Sequence, residues 1–500
     1  MTGGMRLLAS GLSLVTAGLS GPGLLAAALP PHPLAGVRRG LIIFLGPCIG
    51  LSLWGAVGVA AFFMHRATLP ALMIGDALLA AMAAVGILLC RKARPPVEAL
   101  LPPPAPSEHL SNPMLCVLLL ATAGSAAVFL LHARLRPDGL WDAWSIWNLR
   151  ARFIYFGSTH AFDAGFPHAD YPPLYPTLIA RIDWLVGAAS TTVPLVCGAA
   201  AAALCAGTLF FGVAWLRGPR TGALAAIVLL GTQEFMNHAA DQYADVPLAC
   251  LFLGASVLVA IFLDGSEPRR IPVAALAGVL AGAATLLKNE GAFHFLGLFA
   301  GMIAAVAIAA RPRKWGGVAA FIAGALPMLL LLGIFKIAIA PPSDMITGRE
   351  AFAIAEDADS SPTESAMEKN AVQRDAGSVA PPSLWKRLSD LRRYWAILLA
   401  VLNRLIRIDR WNLFLAACVA SFFFRPRTNQ GRASRRALAI ALLVTSAGYF
   451  AAYLATPHNL TWHINTSINR LILQMWGVML LLASLRLVQK PGQNKPPGPV

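Results

Sequence analysis

Charged residues are scarce in this chain: Asp, Glu, Lys and Arg make up 13% of its 500 residues, whereas hydrophobic residues make up 57%. A soluble domain usually carries about 25% charged residues. The apolar runs recur along nearly the whole chain, and many reach the roughly 20 residues that a helix needs to cross hydrocarbon. The composition therefore excludes a soluble globular protein. It predicts an all-α, polytopic transmembrane protein with about 11–13 spans.

Several motifs that carry soluble chemistry are absent. The chain contains no Walker A motif, no HExxH and no GxSxG. Its seven cysteines form no CxxC pair and do not cluster with histidine at the spacing of metal ligands. No soluble nucleotide-binding domain interrupts the apolar runs. These absences argue against a nucleotide donor and against a cysteine–histidine metal site.

The formal net charge is +16, which in a soluble protein would suggest nucleic-acid binding. Here most Arg and Lys residues form seven short clusters between apolar runs, so the positive-inside rule explains them and no nucleic-acid partner is expected. One set of spans places all seven clusters on the cytoplasmic side. These spans lie at 5–29, 41–64, 69–90, 113–132, 192–216, 221–237, 245–264, 271–287, 291–310, 316–340, 407–424, 436–456 and 468–488.

This threading divides the chain into three parts. Residues 1–110 hold the first spans and a Pro-rich cytoplasmic linker, residues 111–490 form the main membrane module, and residues 491–500 form a cytoplasmic tail. Two long segments, at about 133–191 and 341–393, then face the outside. A candidate site is best sought in these segments and in the short outer turns.

The first outer segment begins with acids set among tryptophans. Asp138 and Asp142 are four residues apart, and Trp141, Trp144 and Trp147 recur every third residue. On a helix this spacing forms one aromatic stripe, which is typical of an interfacial anchor. Anchoring does not explain an acid between two tryptophans. Asp142 and Asp138 are therefore candidate catalytic residues, and Trp141 is a candidate substrate contact.

The same segment continues with Asp170-Tyr-Pro-Pro-Leu-Tyr-Pro176, in which three of five consecutive residues are proline. Proline at this density excludes a regular helix and fixes an extended or turned backbone. One interpretation is an entry to the next helix. The other is a rigid support that holds His168 and Tyr171 against a substrate, although a lone histidine is more often structural.

Two later outer turns also carry charges. Asp241 and Asp245 are four residues apart, where a span begins. An acid at a helix N-terminus is favourable to the dipole, which would explain Asp245 alone. Two acids at a membrane edge exceed what a helix cap requires, and they predict a functional site. Lys288 and Glu290 lie in the next outer turn. Either they mark the turn, or the cation of Lys288 binds an anionic lipid headgroup.

The last span contains Arg470 a short way inside its outer end, where a lone cation is costly. Either the side chain snorkels to the surface, or its guanidinium binds a phosphate group through two hydrogen bonds. His463 lies in the polar stretch before it and is a further candidate substrate contact.

Together these motifs resemble the GT-C integral membrane glycosyltransferases. The shared features are an acid early in a large outer loop, Asp-Val-Pro-Leu-Ala at 245–249 and Pro-Pro-Leu at 172–174. Leu-Leu-Lys288-Asn-Glu-Gly resembles the branch that contains protein mannosyltransferases and the aminoarabinose transferase of lipid A. The stretch from His463 to Arg470 resembles the end of related bacterial membrane transferases. The likeness covers roughly residues 113–488, and only the set of motifs is specific.

The resemblance implies a GT-C-like fold and transfer of a sugar from a polyprenyl-phosphate donor to a glycan, lipid or protein acceptor. It places the reaction on the periplasmic face of a bacterial inner membrane, with membrane lipids around the protein. Asp142 matches the family's catalytic base best. Lys288 and Arg470 would stabilise the leaving phosphate, and Asp241 or Asp245 would orient hydroxyl groups.

Many members of the family carry an adjacent acid pair in this loop, whereas this chain has Trp-Asp-Ala-Trp with Asp138 nearby. The choice of base between Asp138 and Asp142 therefore stays open. A divalent metal ion also stays open as a cofactor, and Asp142 and Asp245 would be its ligands.

Two other functions would also need many spans and outer charges. A transporter or flippase of lipid-linked sugars would place its ionisable groups near the midplane, whereas these lie near one membrane edge. A ligase or polymerase of surface polysaccharide would share the lipid-linked donor but not the acid-rich first loop. The resemblance favours the transferase over both.

Overall fold

The computed structural model describes residues 3–64, 68–92, 110–163, 166–264, 270–308, 314–343, 383–406, 408–421 and 431–487. Over these residues the chain is helical, with no β-strand. Its first helices are α1 (Gly3–Ala28), α2 (Ala35–Phe63), α3 (Leu69–Lys92), α4 (Asn112–Leu135), α5 (Asn148–Tyr155), α6 (Leu174–Val186), α7 (Thr192–Arg217), α8 (Pro219–Leu230) and α9 (Gln233–Ala240). They are followed by α10 (Asp245–Asp264), α11 (Ile271–Leu287), α12 (Gly291–Ile308), α13 (Trp315–Ile334), α14 (Leu384–Ser389), α15 (Leu391–Ile406), α16 (Ile408–Ser421), α17 (Arg432–Ala455) and α18 (Leu460–Arg486).

Ten of these helices are long and apolar enough to cross a membrane, so the chain is a multi-pass membrane protein. The all-helical, polytopic class predicted from composition is confirmed. The spanning segments lie in α1, α2, α3, α4, α7, α10, α12, α13, α17 and α18.

Three of the thirteen predicted spans are not among these ten. The one predicted at 221–237 is divided, because α8 ends at Leu230 and α9 begins at Gln233. The one at 271–287 matches α11, which has 17 residues and falls just short of a full crossing. The one at 407–424 is described over residues 408–421, which form the 14 residues of α16.

Helices α15 and α16 nevertheless follow α18 along most of its length. Ile397 of α15 packs with Ile464 and Ile468, in the first turns of α18. At the other end, Arg486 Nε donates to the Ser421 carbonyl oxygen at 2.9 Å. The two short helices therefore cover together the length that one longer helix would cover.

Helix α10 is the centre of the bundle. Almost all of its residues are buried, because α7, α11, α17 and α18 surround it. A helix that is apolar on every side is stable only when it is enclosed in this way. Its first residue, Asp245, is charged and is nevertheless buried at the end of the helix.

Small residues allow the helices to approach closely. A Cβ atom added at Gly21 of α1 would lie 2.1 Å from the Gly46 carbonyl oxygen of α2. Gly301 of α12 lies equally close to Ala437 of α17, since its added Cβ would lie 2.4 Å from that carbonyl oxygen. Close backbone contact of this kind is the usual packing mode where lipid supplies no hydrophobic drive.

Basic side chains gather at the end of the bundle opposite to Asp245. Lys314 Nζ donates to the carbonyl oxygens of Phe262 (3.2 Å) and Leu263 (2.5 Å), where α10 ends. Arg217 Nη2 donates to the Leu485 carbonyl oxygen (3.2 Å), where α18 ends. The last carbonyls of a helix lack partners and carry partial negative charge, so these cations stabilise helix ends. We call this region the basic end.

Three sequence predictions fall largely outside the described residues. The Pro-rich linker is described only up to residue 92 and from residue 110. Residues 344–382 of the second predicted outer segment and the predicted tail at 491–500 also lie outside them.

Candidate functional site

The candidate site forms around the carboxylate of Asp245, which is fully buried at the start of α10. Lys288 Nζ donates to its Oδ1 at 2.9 Å, and Gln474 Nε2 donates to the same oxygen at 2.5 Å. Arg470 Nε donates to Oδ2 at 3.0 Å. A buried carboxylate needs such donors, because a carboxylate without partners would cost several kcal/mol. Asp245 thus collects two cations from different parts of the chain.

Both cations reach a further acid. Arg470 Nη2 lies 2.6 Å from Oδ2 of Asp142, and Lys288 Nζ lies 3.0 Å from Oε1 of Glu290. The result is a row of alternating charges, in the order Asp142, Arg470, Asp245, Lys288, Glu290, which we call the charge chain. The exposed fraction of the side chain is 0% for Asp245 but 13% for Asp142 and 16% for Glu290. Arg470 is exposed to the same extent as Glu290, at 16%, whereas Lys288 and Asp245 are buried. Among the three acids, the two at the ends of the charge chain are therefore the accessible ones.

Asp142 occupies an unusual helical turn. It immediately precedes a π-helical segment, Ala143–Trp147, that leads into α5. A π-helical turn is wider than an α-helical one, so it shifts the side chains that follow, and it often marks a functional site. Trp141 and Trp144 are exposed, whereas Trp147 is fully buried. The single aromatic stripe predicted from the spacing is therefore wrong, because the wide turn rotates Trp147 into the protein.

Tyr171 lies at the centre of an aromatic stack beside the charge chain. Its ring is parallel to that of Trp147, with centroids 5.6 Å apart, and stacks on His168 at 5.0 Å. Lys288 Nζ lies 5.6 Å from the ring centre, and the hydroxyl donates to Oε1 of Glu290 at 3.5 Å. Burial raises the pKa of Tyr171, so its phenol stays protonated and remains a donor.

Two residues next to the charge chain have strained backbones. His168 (φ +50°) and Gln242 (φ +62°) are the only non-glycine residues with positive φ in the described part of the chain. Arg150 Nη2 donates to the His168 carbonyl oxygen at 2.5 Å, and Asn148 Nδ2 donates to Oε1 of Gln242 at 2.8 Å. Such conformations persist only when neighbours enforce them, and they cluster at functional sites. α5 thus supports both strained segments.

The other two candidate acids lie apart from the charge chain. Asp241 is buried, and its Oδ1 lies 2.7 Å from His132 Nε2 and 3.8 Å from Arg136 Nη1, at the end of α4. Asp138 is exposed in a turn before the helix that contains Asp142 begins. The two acids are therefore not one helical turn apart, as their spacing suggested, because the chain is not helical between them.

Lys336 joins this region although the sequence analysis did not select it. It lies in a second π-helical segment, Phe335–Ile339, that follows α13. Its Nζ donates to the backbone carbonyl oxygen of Asp170 (2.5 Å) and contacts that residue's Oδ2 (3.4 Å). Asn289 Nδ2 donates to the same Oδ2 at 2.8 Å. The available signal was a single lysine inside an apolar run, which is a functional candidate by default.

Two tyrosines support the α18 side of the charge chain. The guanidinium of Arg470 lies 4.7 Å from the ring centre of Tyr243, whose pKa is raised by burial. The Tyr449 hydroxyl donates to Oε1 of Gln474 at 2.5 Å and so fixes the amide that bonds Asp245. Gln474 could not be selected from the sequence, because the sequence does not indicate which residue the side chain of a glutamine in a span bonds.

His463 lies seven residues before Arg470 on α18, about two helical turns away. Its ring contacts that of Tyr453, with centroids 4.9 Å apart. Its buried Nδ1 has no hydrogen-bond partner among the described residues. No described contact joins His463 to the charge chain, so the structure places it nearby but not within it.

The expected metal ligands do not fit a metal ion. The guanidinium of Arg470 contacts both Asp142 and Asp245, so a cationic side chain already lies where a shared ion would bind. Among the residues that the structure describes, no group of three or more His, Cys, Asp or Glu residues could hold a metal. The side chains present form an ion-pair network rather than a set of metal ligands.

The fold and this geometry define a class: a multi-pass helical membrane protein with a buried network of alternating charges at one end of its bundle. Comparison with protein-family models, curated proteins and solved structures finds no match for the chain. What the site does is therefore inferred from its own geometry.

Proposed function

We propose that the protein is a GT-C-type membrane glycosyltransferase that takes a sugar from a polyprenyl-phosphate donor. The observation that carries this proposal is the position of Asp142. It is an accessible acid that lies 2.6 Å from Arg470, and Arg470 and Lys288 converge on Asp245. A base beside two cations suits a reaction in which a hydroxyl loses a proton while a phosphate leaves.

In the proposed reaction, Asp142 accepts the proton of an acceptor hydroxyl. The hydroxyl oxygen forms a bond to the anomeric carbon of the sugar as the bond from that carbon to the phosphate oxygen breaks. The electron pair of the broken bond goes to the phosphate, whose growing negative charge Arg470 and Lys288 stabilise. Attack opposite to the leaving group would invert the anomeric configuration.

The arrangement of charges along the bundle supports a periplasmic site in a bacterial inner membrane. Basic side chains gather at the opposite end, where Lys314 and Arg217 bond the last carbonyls of α10 and α18. By the positive-inside rule this basic end faces the cytoplasm. The charge chain then faces the outside, where a lipid-borne donor needs no nucleotide. The bilayer brings such a donor to the site laterally.

The aromatic stack offers a surface for the sugar or the acceptor. Tyr171 is held between Trp147 and His168, and its hydroxyl is beside Glu290. Aromatic faces and fixed polar groups of this kind bind the apolar faces and hydroxyls of a sugar. The acceptor in this proposal is a glycan, a lipid or a protein.

The test is a transfer assay with purified protein in lipid nanodiscs and a set of polyprenyl-phosphate sugars. Asp142→Asn should lower the rate by about 10²–10⁴-fold, the usual contribution of a positioned base. Asp163→Asn is the matched control, because Asp163 lies in the same segment but is exposed and pairs with His160 on the surface. Its rate should stay unchanged.

Two outcomes would overturn parts of this proposal. Full activity in Asp142→Asn would remove Asp142 as the base. If no donor supports transfer, while vesicles that contain the protein move lipid-linked sugars between leaflets, the protein is a transporter rather than a transferase.

A further inference from the structure

The two cations that the proposed reaction needs are already occupied. Arg470 bonds Asp142 and Asp245, and Lys288 bonds Asp245 and Glu290. The three carboxylates and two cations of the charge chain leave one net negative charge. A phosphate that entered beside them would meet repulsion unless it took the place of a carboxylate. The phosphate of a donor would therefore bind more favourably if a carboxylate gave up its cation.

The three carboxylates are not equally able to leave. Asp245 has no exposed surface and receives three donors, one of which, Gln474, is fixed by Tyr449. Asp142 and Glu290, at the two ends, are both partly exposed. Moving Asp245 would take away the one counter-ion that Arg470 and the buried Lys288 share, which is the costliest change in such a network.

One carboxylate oxygen of Glu290 also lacks a hydrogen-bond donor among the described residues. Its Oε1 contacts Lys288 and the Tyr171 hydroxyl, whereas its Oε2 is buried and has no hydrogen-bond partner among the described residues. A buried charged oxygen without a donor is unfavourable. The position of Glu290 against Lys288 is thus poorly supported compared with that of Asp245.

We propose that, in the absence of the sugar donor, Asp142 and Glu290 occupy the positions of its phosphate oxygens. When the sugar donor binds, the phosphate oxygens displace Asp142 from Arg470 and Glu290 from Lys288. This inference rests on the proposed function and concerns how its site is controlled. A phosphate presents several strong acceptor oxygens and suits the fork of an arginine. Asp245 stays in place during the exchange and keeps both cations aimed at the phosphate.

The exchange couples donor binding to activation of the base. While Oδ2 of Asp142 bonds Arg470, that oxygen is held by the cation. Once the phosphate replaces it, the oxygen is released next to the newly bound sugar. Binding of the sugar donor thus frees the base from its cation.

Binding of a polyprenyl monophosphate without sugar tests the exchange. If Asp142 and Glu290 compete with the phosphate, Asp142→Asn and Glu290→Gln should each bind this lipid about tenfold more tightly, a change of 1.4 kcal/mol. Asp163→Asn should bind it as the unaltered protein does. Polyprenol, which lacks the phosphate, should bind equally to all four proteins. Unchanged or weaker binding of the monophosphate to both site variants, or tighter binding of polyprenol, would overturn the proposal.

A second measurement needs no substitution and so does not depend on how the variants fold. Carboxylates can be labelled with a water-soluble carbodiimide and an amine, and the labelled residues identified by mass spectrometry. Adding the polyprenyl monophosphate should raise labelling of Asp142 and Glu290 and leave Asp245 unlabelled. Protection of Asp142 and Glu290 would contradict the exchange. Both measurements omit the sugar, so they can succeed when transfer fails, and the failure of one proposal is distinguishable from that of the other.

Discussion

Asp76 and Asp245 are both fully buried, and each is bonded to an arginine, yet their surroundings differ. Asp76, on α3, receives Arg181 Nη2 at 2.8 Å on both of its oxygens. Trp54 Nε1 and Ser13 Oγ donate to the same carboxylate at 3.3 Å and 2.5 Å. Every donor to Asp76 comes from a buried side chain.

The Asp76 cluster is closed, whereas the network around Asp245 is open at both ends. Arg181 turns back onto Trp54, since its Nη1 donates to that residue's carbonyl oxygen at 2.5 Å and its guanidinium lies 4.0 Å from the ring centre. Arg470 instead continues to Asp142, which is partly exposed. A buried ion pair is therefore not a functional signal by itself. An ion pair that leads to an accessible group is a better candidate for a functional site.

The closed cluster has a positioning role. Asp76 on α3 and Trp54 on α2 hold Arg181 on α6, the helix that follows Tyr171 directly. Gly58 of α2 lies against the same arginine, with an added Cβ 2.6 Å from its Cδ. The first helices of the chain thus fix the segment that carries the aromatic stack.

The largest expected effect is on folding, through the closed cluster. Asp76→Asn leaves Arg181 buried without a counter-ion, so the free energy of unfolding should fall by about 3–5 kcal/mol. The double variant Asp76→Leu/Arg181→Met should recover most of this loss, because replacing a whole buried pair by apolar residues is often neutral. Denaturant unfolding in mild detergent measures both. A double variant no more stable than Asp76→Asn would show that the charges themselves are required.

In the open network, single and paired substitutions should separate stability from the transfer rate. In the proposed reaction, Arg470→Gln removes a donor to the leaving phosphate, so transfer should fall by about 10²–10³-fold. Combining it with Asp142→Asn should recover part of the lost stability, because Asp142 is then not left charged without its cation, although Asp245 still lacks Arg470. The double variant should not restore transfer. Stability and rate are measured on the same preparations. Recovery of transfer in this double variant would mean that the pair is structural, like Asp76 and Arg181.

Much of the fold could be predicted from hydropathy alone, because a spanning helix needs a long apolar run. Ten of the predicted spans match helices of sufficient length. Of the other three, the span at 271–287 coincides with the 17-residue α11, and the span at 221–237 is interrupted where Gly231 and Thr232 separate α8 from α9. The span at 407–424 is described only over α16. Length and apolarity do not report where a helix is interrupted.

The site was predictable only as a set of residues. The charge pattern selected Asp142, Asp245, Lys288 and Arg470, which the structure joins in one network. Their pairing could not be predicted, since Arg470 and Asp245 are 225 residues apart in sequence. Nor does any pattern signal the π-helical turn after Asp142. Asp241 and Asp138 were selected for the same reason, as acids near the outer membrane edge. Substitutions at these two residues are expected to have the smallest effects.

Asp241→Asn should affect the protein modestly. Asp241 is buried against His132 and ties the start of α10 to the end of α4, but it has no contact with the charge chain. An asparagine retains one hydrogen bond to that histidine, so the loss of stability should be about 1 kcal/mol. The transfer rate should change by no more than about twofold. A loss of rate comparable to that of Asp142→Asn would place Asp241 in the reaction after all.

The smallest effect is expected for Asp138→Asn. Asp138 is exposed in the turn before Asp142, and no hydrogen bond or ion pair of its side chain is found among the described residues. A surface substitution of this kind usually changes stability by less than about 0.5 kcal/mol, and the transfer rate should stay within about twofold. The comparison with Asp142→Asn decides between the two acids of the first outer segment. If Asp138→Asn instead loses about 10²–10⁴-fold in rate, the base is Asp138, and it reaches the acceptor from the exposed side of the turn.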